Sequence, residues 1–401
     1  MIELEEALAR ILPALPAAAV ERVPLGAAHR RFLAETQRSS IDLPRFDNSA
    51  MDGYAVRSAD LARASADSPV KLRLAGRAVA GSPFAGSVAP GHCVRLFTGS
   101  VLPAGADSVV MQEDTRVAPE TPEEILVLEP TRPWEHVRLT GEDVKRGDLL
   151  IEQGHPLTAA RAGLLAATGV AEVPVGKRPV VGLLSTGTEL REAGETLGPG
   201  QIFESNRAAL IPLIEQAGGL VQTHPLVMDS LAATRAAIEQ ALAHCDLLVT
   251  SGGVSVGETD FVRDAFVAAG GRLEFWKVAI KPGRPFVWGR RANQFLFGLP
   301  GNPVSAFVTF LMLVRPALLR WQGATETNLA RYPGVLAEPL SNPGNRRHFL
   351  RVRVEPDGRV FSAGVQASHA LSSLGSANGL LDLPPDATLA AGSPVKVSRW
   401  D

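Results

Sequence analysis

The sequence has little cysteine and little excess of either charge. Its two cysteines in 401 residues, Cys93 and Cys245, cannot build a disulfide framework or a four-ligand zinc site. We therefore expect both to be small buried hydrophobic residues. The net charge is −2, and a nucleic-acid binder would normally have a basic excess, so nucleic acid is not expected as a partner. The opening segment MIELEEALAR has acidic residues and no long apolar run, which predicts a cytoplasmic protein without a signal peptide or membrane span.

Lysine is also scarce, because the chain has six lysines among its 40 basic residues. Two of the six, Lys277 and Lys281, lie in one short run with Arg284. If this run is extended chain, the even separation of the two lysines places them on one face. Three positive charges stiffened by neighbouring prolines favour an oxyanion site, and the alternative is a solvated surface turn.

A chain of this length requires several domains. Glycine and proline recur between short apolar runs from about residue 42 to residue 138, which predicts a β-rich module. After Pro179, apolar strands alternate with helices, which predicts a doubly wound α/β sheet. Its predicted strands include Val180–Leu184, Phe275–Ile280 and Gln294–Gly298. From about residue 328 onward we predict a small all-β domain with a hairpin that begins at Leu350.

Three polar, glycine-containing loops follow predicted strands of this sheet. They are residues 185–189, residues 250–260 and residues 299–303. Open α/β sheets bind ligands at the carboxyl ends of their strands, and glycines there allow the backbone to approach a phosphate. Asn302 is predicted to cap the helix that Pro303 begins. The three loops together favour a phosphate or nucleotide site, although each alone is also typical of a tight turn, and none matches a Walker A or dinucleotide-binding motif.

Acidic residues lie within or beside these loops, namely Glu189, Asp229 and Asp260. Carboxylates next to a phosphate site commonly hold Mg²⁺, which prefers oxygen ligands and bridges to substrate phosphate. The alternatives are a helix-start charge for Asp260 and a solvated loop charge for Glu189.

The segment FDNSAMDGYA, residues 46–55, resembles the signature of molybdopterin molybdenumtransferases and of the corresponding domain of gephyrin-type proteins. The same family pattern continues, in order and spacing, over nearly the whole chain. Its further motifs here are Thr98-Gly99, Gly141-Glu142-Asp143, Ser185-Thr186-Gly187, Ser251 to Gly257, Lys281-Pro282-Gly283 and Leu299 to Pro303.

The resemblance implies a multidomain α/β protein that forms an elongated homodimer. It implies an N-terminal domain of residues 1–44 plus 140–175, an inserted β-rich domain of residues 45–139, an α/β molybdopterin-binding domain of residues 176–327 that resembles molybdopterin adenylyltransferase, and a C-terminal β-barrel-like domain of residues 328–401. It also implies an active cleft that the α/β domain of one subunit shares with the β-rich domain of the other.

The implied reaction is insertion of molybdenum from molybdate into adenylated molybdopterin, with Mg²⁺ and release of AMP. Transient contacts are implied with the adenylyltransferase and with molybdoenzyme apoproteins. Two other functions remain open, a molybdopterin adenylyltransferase and a non-catalytic, gephyrin-like scaffold. The long N-terminal modules disfavour the first, and the absence of a linker or a second fused domain disfavours the second.

The resemblance also implies roles for residues at matching positions. The catalytic set is Asp52, Thr98, Glu189, Asp229 and Asp260, of which Glu189, Asp229 and Asp260 are the expected metal ligands. The substrate-binding set is Ser185, Thr186, Gly187, Ser251, Gly252, Gly253, Ser255, Pro300 and Asn302. The molybdate set is Lys277, Lys281, Arg284, Arg351 and Ser368.

Overall fold

The computed structural model describes residues 1–117, 119–255, 257 and 260–400. The chain forms two compact units. One contains residues 1–35, 153–158 and 172–401, and the other contains residues 36–152 and 159–171.

An α/β domain in the first unit is built on a six-stranded sheet. Its strands are β1 (Val180–Ser185), β2 (Leu220–Thr223), β3 (Leu247–Ser251), β4 (Arg272–Trp276), β5 (Val287–Arg291) and β6 (Gln294–Leu299). Its helices are α1 (Asn206–Gln216), α2 (Leu231–Leu242), α3 (Val262–Ala268) and α4 (Pro303–Thr309).

The strand order, β2-β1-β3-β6-β5-β4, explains where a ligand can bind. Strands β2, β1, β3 and β6 are parallel, whereas β5 and β4 are antiparallel additions at one edge. The chain leaves β1 toward β2 and then returns past β1 to β3, so the strand order reverses between β1 and β3. The register pairs Ser185 with Ser251 and Ser251 with Leu299, which brings the ends of β1, β3 and β6 together at this switch point.

Helices cover both faces of this sheet. Leu183, Val249 and Phe297 point to the core that contains residues of α1 and α4. The alternate residues, such as Leu184 and Leu248, point to a second core that contains residues of α2 and α3. Side-chain alternation along buried strands produces these two cores, and the predicted doubly wound α/β arrangement is confirmed.

Helical structure continues beyond α4 through Phe310–Val314 and Arg315–Trp321. Among the residues that the structure describes, the continuous helical stretch Pro303–Trp321, which includes α4, alone is long and apolar enough by length and composition to cross a membrane. However, 78% of it is buried inside the protein, which is typical of a core helix.

The predicted strand Phe275–Ile280 is wrong. Strand β4 ends at Trp276 because Lys277 has a left-handed backbone, with φ of 71°. The chain becomes extended again only at Ile280–Lys281, which pairs with a strand of the C-terminal domain. Lys277 and Lys281 therefore do not share one strand face. Strand β5, which pairs with β4, was absent from the sequence prediction.

The C-terminal domain is a five-stranded barrel, and the predicted β-barrel-like fold is confirmed. Around the ring the strands are Arg347–Val354, Arg359–Ser362, Arg331–Leu336, Pro394–Ser398 and Gly379–Leu383, the last of which pairs again with the first. The predicted hairpin is formed by the first two. A short helix, Leu371–Gly375, and a two-stranded ribbon, Leu340–Asn342 with Ala387–Leu389, complete the domain, which is thus not entirely β.

The first unit also contains the helix Leu4–Ile11, and the strand Val20–Pro24 paired with Glu172–Gly176. A ribbon, Leu190–Arg191 with Ile202–Phe203, follows β1.

The second unit holds a six-stranded sheet. Its strands, in spatial order, are Ser108–Met111, Gly53–Val56, His92–Leu96, Val70–Ala78, Glu124–Val127 and Thr115–Val117. Two strand pairs, Asn48–Ser49 with Val137–Arg138 and Gln37–Arg38 with Leu149–Ile151, and the helix Ala159–Ala167 accompany the sheet. The prediction of a β-rich module is confirmed. Cys93 in this unit and Cys245 in the first are buried and free, as expected.

Candidate functional site

A cleft of about 720 Å³ opens at the carboxyl ends of β1, β3 and β6. All three predicted loops contribute to its wall. The predicted site residues that line it are Thr186, Gly187, Glu189, Asp229, Ser251, Gly252, Gly253, Ser255, Asp260, Pro300 and Asn302. Glu204, Asn206 and His369, which sequence reasoning did not single out, line it as well.

Hydrogen bonds join the three loops into one continuous wall. The backbone N–H of Thr186 donates to the Ser251 carbonyl at 3.0 Å, and that of Gly252 donates to the Leu299 carbonyl at 3.1 Å. The Asn206 amide donates to the hydroxyl of Ser251 and to the carbonyl of Gly301, at 2.7 Å each. Asn206 thus connects the second and third loops from the first turn of α1.

The second loop requires glycine at two positions. Gly252 and Gly253 have φ values of 90° and 65°, in the left-handed region. A Cβ on Gly252 would lie 2.5 Å from the Thr186 carbonyl oxygen, and one on Gly253 would lie 2.7 Å from the Thr186 hydroxyl. Glycine therefore permits both the backbone conformation and the contact between the loops. Val256, Glu258 and Thr259 of the predicted loop lie outside the described residues.

Three carboxylates that the sequence predicted at this site line the cleft. Asp229 Oδ2 accepts the Thr188 backbone N–H at 3.0 Å, while the Thr188 hydroxyl accepts the Asp229 backbone N–H at 3.0 Å. Asp260 Oδ2 accepts the Gly257 backbone N–H at 2.8 Å. Within the described residues, no group of three or more His, Cys, Asp or Glu side chains is arranged to hold a metal ion.

Two polar residues differ from their expected environments. Ser185 is buried and does not line the cleft, because its hydroxyl bonds to Glu204 at 3.2 Å. Asn302 does precede α4, with Pro303 at the first helical position, but its side chain makes no capping hydrogen bond. Instead the Asn302 amide donates to the Ser368 hydroxyl at 3.0 Å. This bond links the cleft to the C-terminal domain.

The three members of the cationic run have different surroundings. The Lys277 ammonium lies over the Trp276 ring, 3.6 Å from its centroid, in a cation–π contact. Lys281 is half-buried and pairs in strand register with His348 of the barrel. Arg284 is exposed. Burial is the larger cause that lowers the pKa of the Arg346 guanidinium, and the nearby charge of Arg284 is the second.

Arg351 is fully buried. Its guanidinium donates to the carbonyl of Ala367 at 3.1 Å and to that of Val365 at 2.7 Å, and its Nε donates to Ser373. Nη1 has no hydrogen-bond partner among the described residues, and burial lowers the pKa of Arg351 to about 10. Because Ala367 precedes Ser368, this charge lies beside the segment that contacts the cleft through Asn302.

Asp52 and Thr98 belong to the second compact unit, not to the unit that contains the cleft. They bond to each other, since Asp52 Oδ1 accepts both the backbone N–H and the hydroxyl of Thr98 at 2.8 Å. Both residues are exposed.

Comparisons with known proteins agree across the chain. Residues 2–169 match the MoeA N-terminal region (domain I and II), residues 182–320 a probable molybdopterin binding domain, and residues 333–400 the MoeA C-terminal region (domain IV). A molybdopterin molybdenumtransferase of Haemophilus influenzae is 38% identical over 100% of this chain and 99% of its own length. Molybdopterin molybdenumtransferase 2 of Mycobacterium tuberculosis is 39% identical over 94% of each chain. The crystal structure of a molybdopterin biosynthesis moeA protein from Pyrococcus horikoshii is 30% identical, covers both chains fully and superposes with a TM-score of 0.85. The chain therefore belongs to the molybdopterin molybdenumtransferase family, whose members are transferases.

Proposed function

We propose that the protein transfers molybdenum from molybdate to adenylated molybdopterin, forming the molybdenum cofactor and releasing AMP. The observation that carries this proposal is the hydrogen bond between Asn302 and Ser368. It joins a cleft suited to a phosphorylated ligand to the segment that packs on the buried charge of Arg351. A phosphate ester and an oxyanion can thus be held next to each other in one unit.

The loops of the cleft would bind the adenylated pterin. Thr186, Gly187, Ser251, Gly252, Gly253, Ser255, Pro300 and Asn302 present backbone and hydroxyl groups there. Backbone N–H groups in glycine-containing loops at strand ends favour phosphate oxygens. Ser185 does not line the cleft, but its hydroxyl would hold in place Glu204, which does.

The carboxylates fit a bound Mg²⁺. This ion usually keeps several waters and takes one or two protein carboxylates together with substrate phosphates, so it needs no dense cluster of acidic side chains. Asp229 and Asp260 each use Oδ2 for a backbone N–H, and the Glu189 carboxylate lies above Gly187, where an added Cβ would be 2.7 Å from it. We assign Glu189, Asp229 and Asp260 as the residues that would hold the ion, which would neutralise charge on the pyrophosphate.

The cationic residues would bind molybdate, a dianion. Ser368 offers a hydroxyl, and Lys281, Arg284 and Arg351 offer positive charge. Arg351 gives the strongest support for an anion site. Within the described part of the chain its Nη1 has no hydrogen-bond partner and its charge has no carboxylate, and a buried charge of this kind is costly unless an anion compensates it. Lys277, which stacks on Trp276, would contribute at longer range.

Asp52 and Thr98 complete the proposed catalytic set. We further propose a cytoplasmic homodimer in which Asp52 of one subunit serves the cleft of the other, as the family resemblance implies. Transient contacts with the adenylyltransferase and with molybdoenzyme apoproteins would deliver the substrate and receive the product.

The direct test is to supply purified protein with adenylated molybdopterin, Mg²⁺ and molybdate. The product should activate a molybdenum-free apoenzyme, and AMP should appear in solution. Omission of molybdate should abolish activation. In a parallel assay that supplies molybdopterin and ATP instead, formation of adenylated molybdopterin would indicate an adenylyltransferase.

A further inference from the structure

His348 of the barrel strand Arg347–Val354 is a buried histidine whose ring has no partner. Only 3% of the residue is exposed, and neither Nδ1 nor Nε2 makes a hydrogen bond to any residue that the structure describes. It alternates with Leu350 and Val352, which belong to the barrel core. Buried imidazole nitrogens normally have hydrogen-bond partners, so this ring lacks a polar group that the site would be expected to supply.

Cations surround the ring. Lys281 pairs with His348 across the parallel strands, Arg351 lies on the strand of His348, and Arg346 immediately precedes that strand. On the antiparallel neighbour, His348 pairs with Leu383, and the adjacent Asp382 is bonded to Arg347. Within the described part of the chain, Lys281, Arg346 and Arg351 form no ion pair with a carboxylate.

This surrounding keeps the imidazole neutral. Burial, followed by the charges of Lys281, Arg351 and Arg346, lowers the pKa of His348 to about 4. Because like charges and desolvation both disfavour the protonated ring, a compensating anion nearby would favour it. A dianion would offset two of these three positive charges and so reduce the penalty on the protonated ring.

We propose that His348 takes up a proton when molybdate binds beside Lys281 and Arg351, and that the resulting imidazolium positions the oxyanion. The inference rests on the proposed function, because it requires molybdate to occupy this cationic cluster. His348 is then a positioning residue that couples oxyanion binding to pH.

The direction of the pH dependence follows from linkage. Suppose that bound molybdate returns the pKa of His348 toward its ordinary value. At pH values between about 4 and that ordinary value, the molybdate-bound protein then holds more protons than the free protein. Molybdate affinity therefore rises as pH falls through this window. With a bound pKa near 6.5, the gain between pH 7.5 and pH 5.5 is about tenfold.

The test is titration calorimetry of the full-length protein with sodium molybdate, in buffers of different ionisation enthalpy. At pH 6.5 wild type should take up about half a proton per bound molybdate. His348→Gln keeps a polar side chain but cannot be protonated, so it should bind without proton uptake and lose the tenfold pH effect. His244→Gln, at an exposed position after α2, is the matched control and should behave as wild type.

A second measurement needs no variant. In wild-type protein labelled with ¹⁵N-histidine, molybdate at pH 6.5 should move one of the eight histidine ring signals from neutral toward protonated. Binding without proton uptake, or equal uptake by His348→Gln, would overturn the role of His348 and leave the proposed function standing. Failure of wild type to bind molybdate would overturn both.

Discussion

Asp52 and Thr98 form a two-point contact in which one carboxylate oxygen accepts both the backbone N–H and the hydroxyl of the same threonine, at 2.8 Å each. The backbone bond is the largest cause that lowers the pKa of Asp52, and the hydroxyl bond is the second. The carboxylate is consequently a weak base that stays ionised at neutral pH. This favours a positioning role over proton abstraction.

Replacement of Thr98 tests this contact. Thr98→Val removes the hydroxyl donor, so the pKa of Asp52 should rise toward its ordinary value of 3.8. Thr98→Ser keeps the donor and should leave the pKa lowered. Carboxyl ¹³C shifts followed through an acid titration would measure this. An unchanged pKa in Thr98→Val would show that the hydroxyl does not stabilise the carboxylate.

Mixed dimers test the proposed sharing of clefts between subunits. Asp52→Asn and Asp260→Asn should each be nearly inactive alone. If the two residues act in one cleft from different subunits, unfolding and refolding them together restores one intact cleft in each mixed dimer. AMP release should then reach about one quarter of the wild-type rate. No recovery, in a mixture shown to contain mixed dimers, would place both residues in one subunit's cleft.

Gly252→Ala should distort the cleft wall. The new Cβ would approach the Thr186 carbonyl, and φ of 90° strains any other residue by about 1–3 kcal/mol. The thermal midpoint should fall, and the affinity for adenylated molybdopterin should fall with it. Gly163→Ala is the control, because its position is helical and open, so stability should be unchanged or slightly higher. Wild-type binding by Gly252→Ala would contradict the assigned role of the loop.

Lys281→Ala should weaken the use of molybdate more than binding of the pterin. Loss of one charged contact to a dianion costs about 1.5–3 kcal/mol, so the half-saturating molybdate concentration should rise roughly tenfold to a hundredfold. Lys396→Ala, at an exposed barrel position, should not change it. An unchanged value for Lys281→Ala would make this lysine an ordinary surface charge.

The sequence predicted the cleft well because strong local patterns determine it. Apolar strands such as β1 and β3 end in polar glycine loops, and parallel pairing then requires the loops to meet. Asn302 was correctly placed before a helix, but its side chain bonds to Ser368, which lies 66 residues later in the chain. Local propensity carries no information about such a distant partner.

The cationic region was predicted less well. The spacing of Lys277 and Lys281 suggested one strand face, but the positive φ at Lys277 breaks the strand. His348 and Arg346 were missed because they lie in an arginine-rich segment, and such a segment is typical of a solvent-exposed surface. The alternation of His348 with Leu350 and Val352 was the available signal, since it places the imidazole on the buried face.

Asp260→Asn separates the proposed metal role from a local structural one. The amide can no longer accept as a charged group from the Gly257 N–H, so stability should fall by no more than about 1 kcal/mol. If Asp260 helps to hold Mg²⁺, the folded variant should bind adenylated molybdopterin but release little AMP. Normal release would remove Asp260 from the catalytic set.

The central claim is that molybdenum insertion and AMP release occur together in this protein. Wild-type protein preloaded with adenylated molybdopterin should be mixed with Mg²⁺ and limiting molybdate, and both AMP and protein-bound molybdenum should be quantified over time. We predict that they rise together in a one-to-one ratio and stop when molybdate is exhausted. AMP release at the same rate without molybdate, or bound molybdenum without AMP, would contradict the account.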